Sequence, residues 1–263
     1  MDRELLLSLA EKYDSPLYVY DAQKIEKQYK RMTNAFSSVN HLKINFAVKA
    51  LSNINILKLF KSFNSGLDTV SVQEVQLGLK AGFEPHDIIY TPNGVSLEEI
   101  EQAKDLGVII NIDNLSILEQ FGQKHPEIPV CIRINPHIMA GGNSKISVGH
   151  IDSKFGISFH QMRHVERVIA NDNINVNGLH MHTGSDILDV DIFLRGAEIL
   201  LDTAREYFPN LEFVDFGSGF KVAYYKDAPV TDITELGDRL STAFKEFCAD
   251  YGRKLQIWFE PGK

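Results

Sequence analysis

Lys49 closes an apolar run, Ile44-Asn45-Phe46-Ala47-Val48-Lys49-Ala50, that reads as a buried strand. An ammonium buried without a partner costs several kcal/mol on typical scales. The usual release is a lowered pKa, which leaves a neutral, nucleophilic amine able to form Schiff bases with carbonyl compounds. The competing reading is a strand-end lysine whose stem is buried and whose head stays in water. Glu260 poses the matching problem with opposite sign, in Trp258-Phe259-Glu260-Pro261-Gly262. A buried carboxylate needs a cationic partner. That partner is either a local Lys or Arg, or a protonated pyridine nitrogen, whose proton makes its ring an electron sink. Gly217-Ser218-Gly219-Phe220 spaces two glycines so that backbone N–H groups can approach an anion such as phosphate, and the Ser185 hydroxyl can join them. A plain tight turn would give the same Gly-x-Gly spacing. The aldehyde that suits Lys49 and the ring that suits Glu260 meet in pyridoxal 5'-phosphate. His180 and His182 raise zinc-dependent hydrolysis instead, with Asp68 and Asp215 as further ligands. That reading leaves Lys49 and Glu260 without a task. His180 reads better as a satisfied interior residue, and His182 as a flat side chain able to stack on a cofactor.

Eight apolar, β-branched runs must position these groups: 44–50, 67–71, 88–93, 108–114, 130–136, 176–185, 213–219 and 256–262. Helix-like segments lie between them, at 52–63, 72–81, 97–106, 115–122, 159–170, 187–207 and 233–251. The early runs recur about every 20–22 residues, the length of one βα unit with short loops. Eight such repeats predict an α/β fold, a (β/α)8 TIM barrel. An open doubly wound sheet is less consistent, because no Gly-x-Gly-x-x-Gly turn follows the first strand. Polar residues gather at the C-terminal ends of the runs: Lys49, Asp68, Asn93, Asp113, Arg133, Asn135, His182, Asp215 and Glu260. Barrel enzymes build their sites on that face. Alternation puts Asn45, Ala47 and Lys49 on the barrel side of their strand and Phe46 and Val48 against the helices. The long segment 137–158, with Gly141-Gly142-Asn143-Ser144, reads as a cover over the barrel mouth.

The chain has 263 residues, 44% hydrophobic and 24% charged, with a formal net charge of −8. No Lys/Arg-rich stretch occurs, which argues against nucleic acid and anionic membranes and leaves a small molecule as the expected ligand. The opening residues read as neither a signal peptide nor a membrane span. Two cysteines, Cys131 and Cys248, give no disulfide framework and fit a reducing cytoplasm.

Taken in order, Phe46–Ala50, Gly66–Ser71, Asp152–Gly156, His180–Ser185, Gly217–Phe220 and Glu260–Gly262 resemble the alanine-racemase-like (fold type III) pyridoxal-phosphate decarboxylases, from about Pro16 to Lys263. The resemblance implies roles by position. Lys49 would bond the cofactor aldehyde, with Asp68 supporting it. His182 would stack on the ring. Ser185, Gly217, Ser218 and Gly219 would hold the phosphate. Glu260 would pair with the ring nitrogen, followed by Pro261, Gly262 and Lys263. Related racemases place an arginine near that nitrogen, so a glutamate implies decarboxylation. The implied reaction takes meso-2,6-diaminopimelate to L-lysine and CO2. Neighbouring substrates are carboxynorspermidine, ornithine and arginine, and a non-catalytic cofactor carrier is the other alternative. Lys263 stands where the family commonly has arginine, so its contact cannot be bidentate. The resemblance further implies that residues 1–20 belong to a β-domain and 21–263 to the barrel. The rest of that domain would lie beyond this chain, in a homodimer. Residues 1–263 alone are then expected to be weakly active or inactive.

Overall fold

The computed structural model describes residues 2–138 and 153–263. Its nine strands are β1 (Leu42–Ala47), β2 (Gly66–Thr69), β3 (Ile88–Tyr90), β4 (Ile109–Ile112), β5 (Val130–Asn135), β6 (Ile157–Ser158), β7 (Val176–Met181), β8 (Phe213–Asp215) and β9 (Gln256–Phe259). All pairings are parallel, in the order β4-β3-β2-β1-β9-β8-β7-β5, and β4 also pairs with β5, so eight strands close into a barrel. The short β6 pairs with the far end of β5, at Ile134 and Asn135.

The helices are α1 (Arg3–Tyr13), α2 (Ala22–Ala35), α3 (Ile54–Ser62), α4 (Val72–Ala81), α5 (Leu97–Asp105), α6 (Leu115–Lys124), α7 (Met162–Asp172), α8 (Val190–Tyr207) and α9 (Ile233–Tyr251). Side chains at the loop ends start them. Ser71 accepts from the Glu74 amide, while the Glu74 carboxylate accepts from the Val70 amide, so both ends of this first turn are satisfied. Asn114 caps α6 through the Ser116 and Ile117 amides. Helices α3 to α9 cross between successive barrel strands. No crossover helix follows β9 among the described residues, and α2 fills the gap in the ring instead. Tyr29 of α2 packs on Phe60 and Phe63 at the end of α3, with centroids 6.3 and 5.3 Å away. On the other side, a Cβ on Gly237 of α9 would fall 2.2 Å from the Ala35 carbonyl, so only glycine allows that approach. Phe36, fully buried, then sits 4.5 Å from the Phe259 ring.

The barrel interior has two levels. The lower is apolar: Ile89, Cys131, Phe213 and Trp258 form a separate cluster, with Phe213 stacked on Trp258 at 3.8 Å. Lys43 closes it from below, its Nζ 4.8 Å from the Trp258 ring and 3.2 Å from Asp87 Oδ1. The upper level is polar: Asp68, Thr91, Asn111, Arg133, His180, Asp215 and Glu260 are all buried. An apolar layer therefore lies between the polar level and the lower end of the barrel.

The eight expected strands all form, but each stops short of its apolar run. β1 ends at Ala47, and Lys49 lies in a 3-10 turn, Val48–Ala50. β7 ends at Met181 and β8 at Asp215. Beyond those points the backbone leaves the ladder and turns over the barrel mouth. Residues 15–20 form no strand, and α1 buries none of its residues. Among the described residues no helix is long and apolar enough to cross a membrane.

If α2 belongs to the barrel ring, Phe36→Ala should destabilise the whole domain by about 3–5 kcal/mol, the usual cost of emptying a buried phenylalanine site. Denaturant unfolding followed by Trp258 fluorescence and by circular dichroism should show one coincident transition at lower denaturant. A loss of α2 signal ahead of the barrel transition would show that α2 is only peripheral.

Candidate active site

Lys49 Nζ lies 2.9 Å from Asp68 Oδ2, an ion pair between the end of β1 and the neighbouring β2. Register sets this contact, because Ala47 is level with Asp68 and Lys49 reaches back over it. The Asp68 side chain is wholly buried, whereas 45% of the Lys49 side chain is exposed. The neutral amine expected from sequence is not what the structure holds. Burial pushes the Lys49 pKa down, but Asp68 and Glu260 together push it further up, and the net shift is upward. Burial and Glu260 push the Asp68 carboxyl up, and Lys49 pulls it back.

Glu260 follows β9 directly, and its backbone is clipped to the glycine loop. Its amide donates to the Gly217 carbonyl at 2.8 Å, and its carbonyl accepts from Ser218 Oγ at 2.7 Å. Its Oε2 lies 3.0 Å from His180 Nε2, and His180 Nδ1 lies 3.0 Å from Asn111 Nδ2. The amide of Asn111 donates, so Nδ1 accepts and Nε2 carries the proton that Glu260 receives. Burial, Arg133 and Lys49 hold His180 well below the usual imidazole range, which keeps it neutral. Burial pushes Glu260 up, opposed by Lys49 and Arg133.

The glycine loop turns on positive φ, +63° at Gly217 and +98° at Gly219. A Cβ at Gly219 would lie 1.9 Å from the Gly184 carbonyl. Two of the loop's polar groups are committed within the protein: the Gly217 amide to Asp215 Oδ1 at 2.8 Å, and the Ser218 hydroxyl to Glu260. The Ser218 amide faces His182 Nδ1 at 3.5 Å. No described residue accepts from the Gly219 amide. Beside it, Lys263 Nζ reaches Ser185 Oγ at 3.1 Å and Asp186 Oδ1 at 2.7 Å. Pro261 completes the seam, its carbonyl accepting from the Ala47 amide at 3.1 Å, and Gly262 packs against Ala47 and Ala50.

All the sequence-identified residues thus stand at one end of the barrel. Lys49 and Asp68 form one group. Glu260, Gly217, Ser218 and Gly219 form a second, with His182 against it. Ser185 and Lys263 form the third. The set fits pyridoxal phosphate. Lys49 and Glu260 cap adjoining strands, the turn at Gly219 admits no Cβ, and the Gly219 amide, the Ser185 hydroxyl and the Lys263 ammonium could hold a phosphate. Sequence reasoning gave no task to Asn111 or Arg133. Asn111 fixes the His180 tautomer, and the buried Arg133 guanidinium stacks over Phe155 at 4.9 Å. An inward polar residue inside an apolar strand was the available signal. The His-x-His pair does not converge. His180 gathers with Asp215 and Glu260, one ligand atom of each within 4.8 Å, but both its nitrogens are already engaged, and His182 is turned to the glycine loop. The cover expected over the mouth falls largely on 139–152, outside the described residues.

A family model described as the pyridoxal-binding domain of pyridoxal-dependent decarboxylases matches residues 22–263. Two curated proteins named diaminopimelate decarboxylase, from Methanothermobacter thermautotrophicus and Bacillus subtilis, are each 33% identical over 98% of this chain. The chain spans 62% of the length of each. Among solved structures, a variant diaminopimelate decarboxylase from Helicobacter pylori complexed with L-lysine superposes with a TM-score of 0.88 at 28% identity. That match covers 98% of this chain and 66% of the other.

Asp68 raises the Lys49 pKa, so Asp68→Asn should lower it. In cofactor-free protein, the pH midpoint of Lys49 acylation by an amine reagent, read by peptide mass spectrometry, should fall in the variant. An unchanged midpoint would show that Asp68 does not set the lysine's charge.

Proposed function

Since this chain belongs to the pyridoxal-dependent decarboxylases, we propose that it serves the decarboxylation of meso-2,6-diaminopimelate to L-lysine and CO2. The observation that carries this reading is the placing of Lys49 and Glu260 on adjoining strand ends at one barrel mouth, beside the Gly219 cradle. The names of the relatives and the lysine in the H. pylori structure support the substrate. The chain spans about 62% of those relatives, so the activity is proposed for the full-length protein, with an amino acid as ligand and a homodimer as assembly.

Lys49, His182, Ser185, Gly219, Glu260 and Lys263 would hold the cofactor. Bound pyridoxal phosphate would supply an aldehyde for amine capture and a protonated pyridine that accepts the electron pair left on carbon when CO2 departs. The protein's own residues do the rest. Lys49 must lose a proton from Nζ before it can act as a nucleophile, and Asp68 Oδ2, 2.9 Å away, is the acceptor in place. Glu260 supplies a fixed anion at the ring-nitrogen position, oriented by the His180 proton. Neutral His180 and His182 add no competing positive charge. Asp68, Arg133 and Glu260 are buried, which strengthens the charge interactions among them.

Incubation of the full-length protein with pyridoxal phosphate, borohydride reduction and peptide mapping should label Lys49. CO2 release from an amino-acid panel should then favour diaminopimelate. Lys49→Ala should abolish both, and Glu260→Gln should cut kcat/KM at least on the order of 100-fold while leaving the label. Labelling elsewhere would overturn the cofactor site. Labelling at Lys49 without CO2 release from any substrate would favour a carrier.

A further inference from the structure

Asp215 is fully buried at the end of β8, level with His180 on one side and Trp258 on the other. Its Oδ1 accepts from the Gly217 amide. Its Oδ2 and the Glu260 Oε1 are both buried without a hydrogen-bond partner among the described residues, and the two carboxyl groups stand side by side, one oxygen of each within 4.8 Å of the other. Two ionised carboxylates so placed would repel each other and leave both oxygens without a donor, whereas a proton on one of them can serve both. We infer that Asp215 is a neutral carboxylic acid that donates from Oδ2 to Glu260, a positioning residue that ties the ring-nitrogen carboxylate to the phosphate loop.

The surrounding charges say which partner keeps the proton. Facing this pair are Lys49 after β1, Asp68 on β2, Cys131 and Arg133 on β5 and His180 on β7. His180 is neutral, and burial and the two carboxyls hold the Cys131 thiol protonated. That leaves two cations, Lys49 and Arg133, facing Asp68, Glu260 and, at Arg133, the half-buried Asp113. The cations are already matched without Asp215; an ionised Asp215 would add an anion with no counterpart. Both cations act on Glu260, whereas the groups acting most on Asp215 are its own burial and Glu260, which push its carboxyl well above the usual range. Glu260 is therefore the anion and Asp215 the acid. Glu260 receives a proton on each oxygen, from His180 Nε2 and from Asp215. That fixes its plane and leaves further lone pairs for a ring N–H.

This role rests on the cofactor reading above, and the test separates the two. Infrared spectra of cofactor-free protein at neutral pH should show a protonated carboxyl band that shifts with 13C-aspartate and vanishes in Asp215→Asn. The asparagine keeps a donor for Glu260 and an acceptor for Gly217. It should therefore bind pyridoxal phosphate with unchanged affinity, and the pH midpoint of the bound cofactor's absorbance should not move. Asp215→Leu, checked for folding by circular dichroism, should weaken cofactor binding on the order of tenfold, as expected when buried polar partners are orphaned. Absence of the aspartate-sensitive band, or a midpoint moved by Asp215→Asn as removal of an anion would move it, overturns the inference. Wild-type protein that shows the band but binds no pyridoxal phosphate would instead overturn the cofactor reading.

Discussion

Charge balance inside a closed barrel is the constraint on which this molecule depends. Lys49, Asp68, Arg133 and Glu260 crowd the upper level of the barrel, and three of the four are buried. Any one alone would be too costly to bury; together they compensate one another. The apolar cluster of Ile89, Cys131, Phe213 and Trp258 offers these groups no polar partner from beneath, so they must compensate one another. Removing one member leaves another charge uncompensated, which typically costs about 3–5 kcal/mol. The set therefore behaves as a unit, and it exists only when the barrel is closed.

Closure also explains why the site lies where the strands stop. A ladder residue spends its backbone polar groups on its neighbours. Past Ala47, Asp215 and Phe259 the ladder ends, and amides and carbonyls become free to make other contacts. The Glu260 amide turns to Gly217, and the Ala47 amide to Pro261. These few bonds join the first strand, the last strand and the glycine loop, segments some 170 to 210 residues apart or in adjoining units. The mouth is thus stitched by the same residues that carry the chemistry, and the helical ring, with α2 in its last gap, holds the stitching taut.

Much of this was legible in the sequence. Parallel strands buried on both faces must be apolar runs, so all eight could be counted. The expected segments 72–81 and 233–251 match α4 and α9 at both ends, and the structure places Ser71 and Asp232 at their starts and Gly82 and Gly252 just past their ends. Strand ends were overrun, since Val48 or Phe216 is as apolar as any ladder residue, and only a neighbour's register says where pairing stops. Helix α2 was passed over. Its inward stripe is narrow, half-buried Ile25 and Tyr29 and buried Met32 among many Lys and Gln, and nothing local says that it fills a ring position. The charge of Lys49 was misread for a deeper reason. Its partner lies 19 residues away on another strand, and that contact, not the apolar run around the lysine, sets its proton affinity. The tautomer of His180 depends on Asn111, 69 residues away, and was equally out of reach of any local pattern.

The corrected charge on Lys49 makes the site more coherent. A neutral lysine would leave Asp68 and Glu260 as two buried anions facing Arg133 alone. The cationic lysine balances the level while the protein waits for its ligand. A ligand that condenses with the Lys49 amine leaves a basic nitrogen in its place, and a protonated pyridine beside Glu260 would pair with that carboxylate in the same layer. Charge pairing thus favours a molecule that carries an amine-reactive carbonyl and a basic ring nitrogen together. The same condition explains why the acid next to Glu260 should be neutral: a third anion would disturb the balance both before and after the ligand arrives.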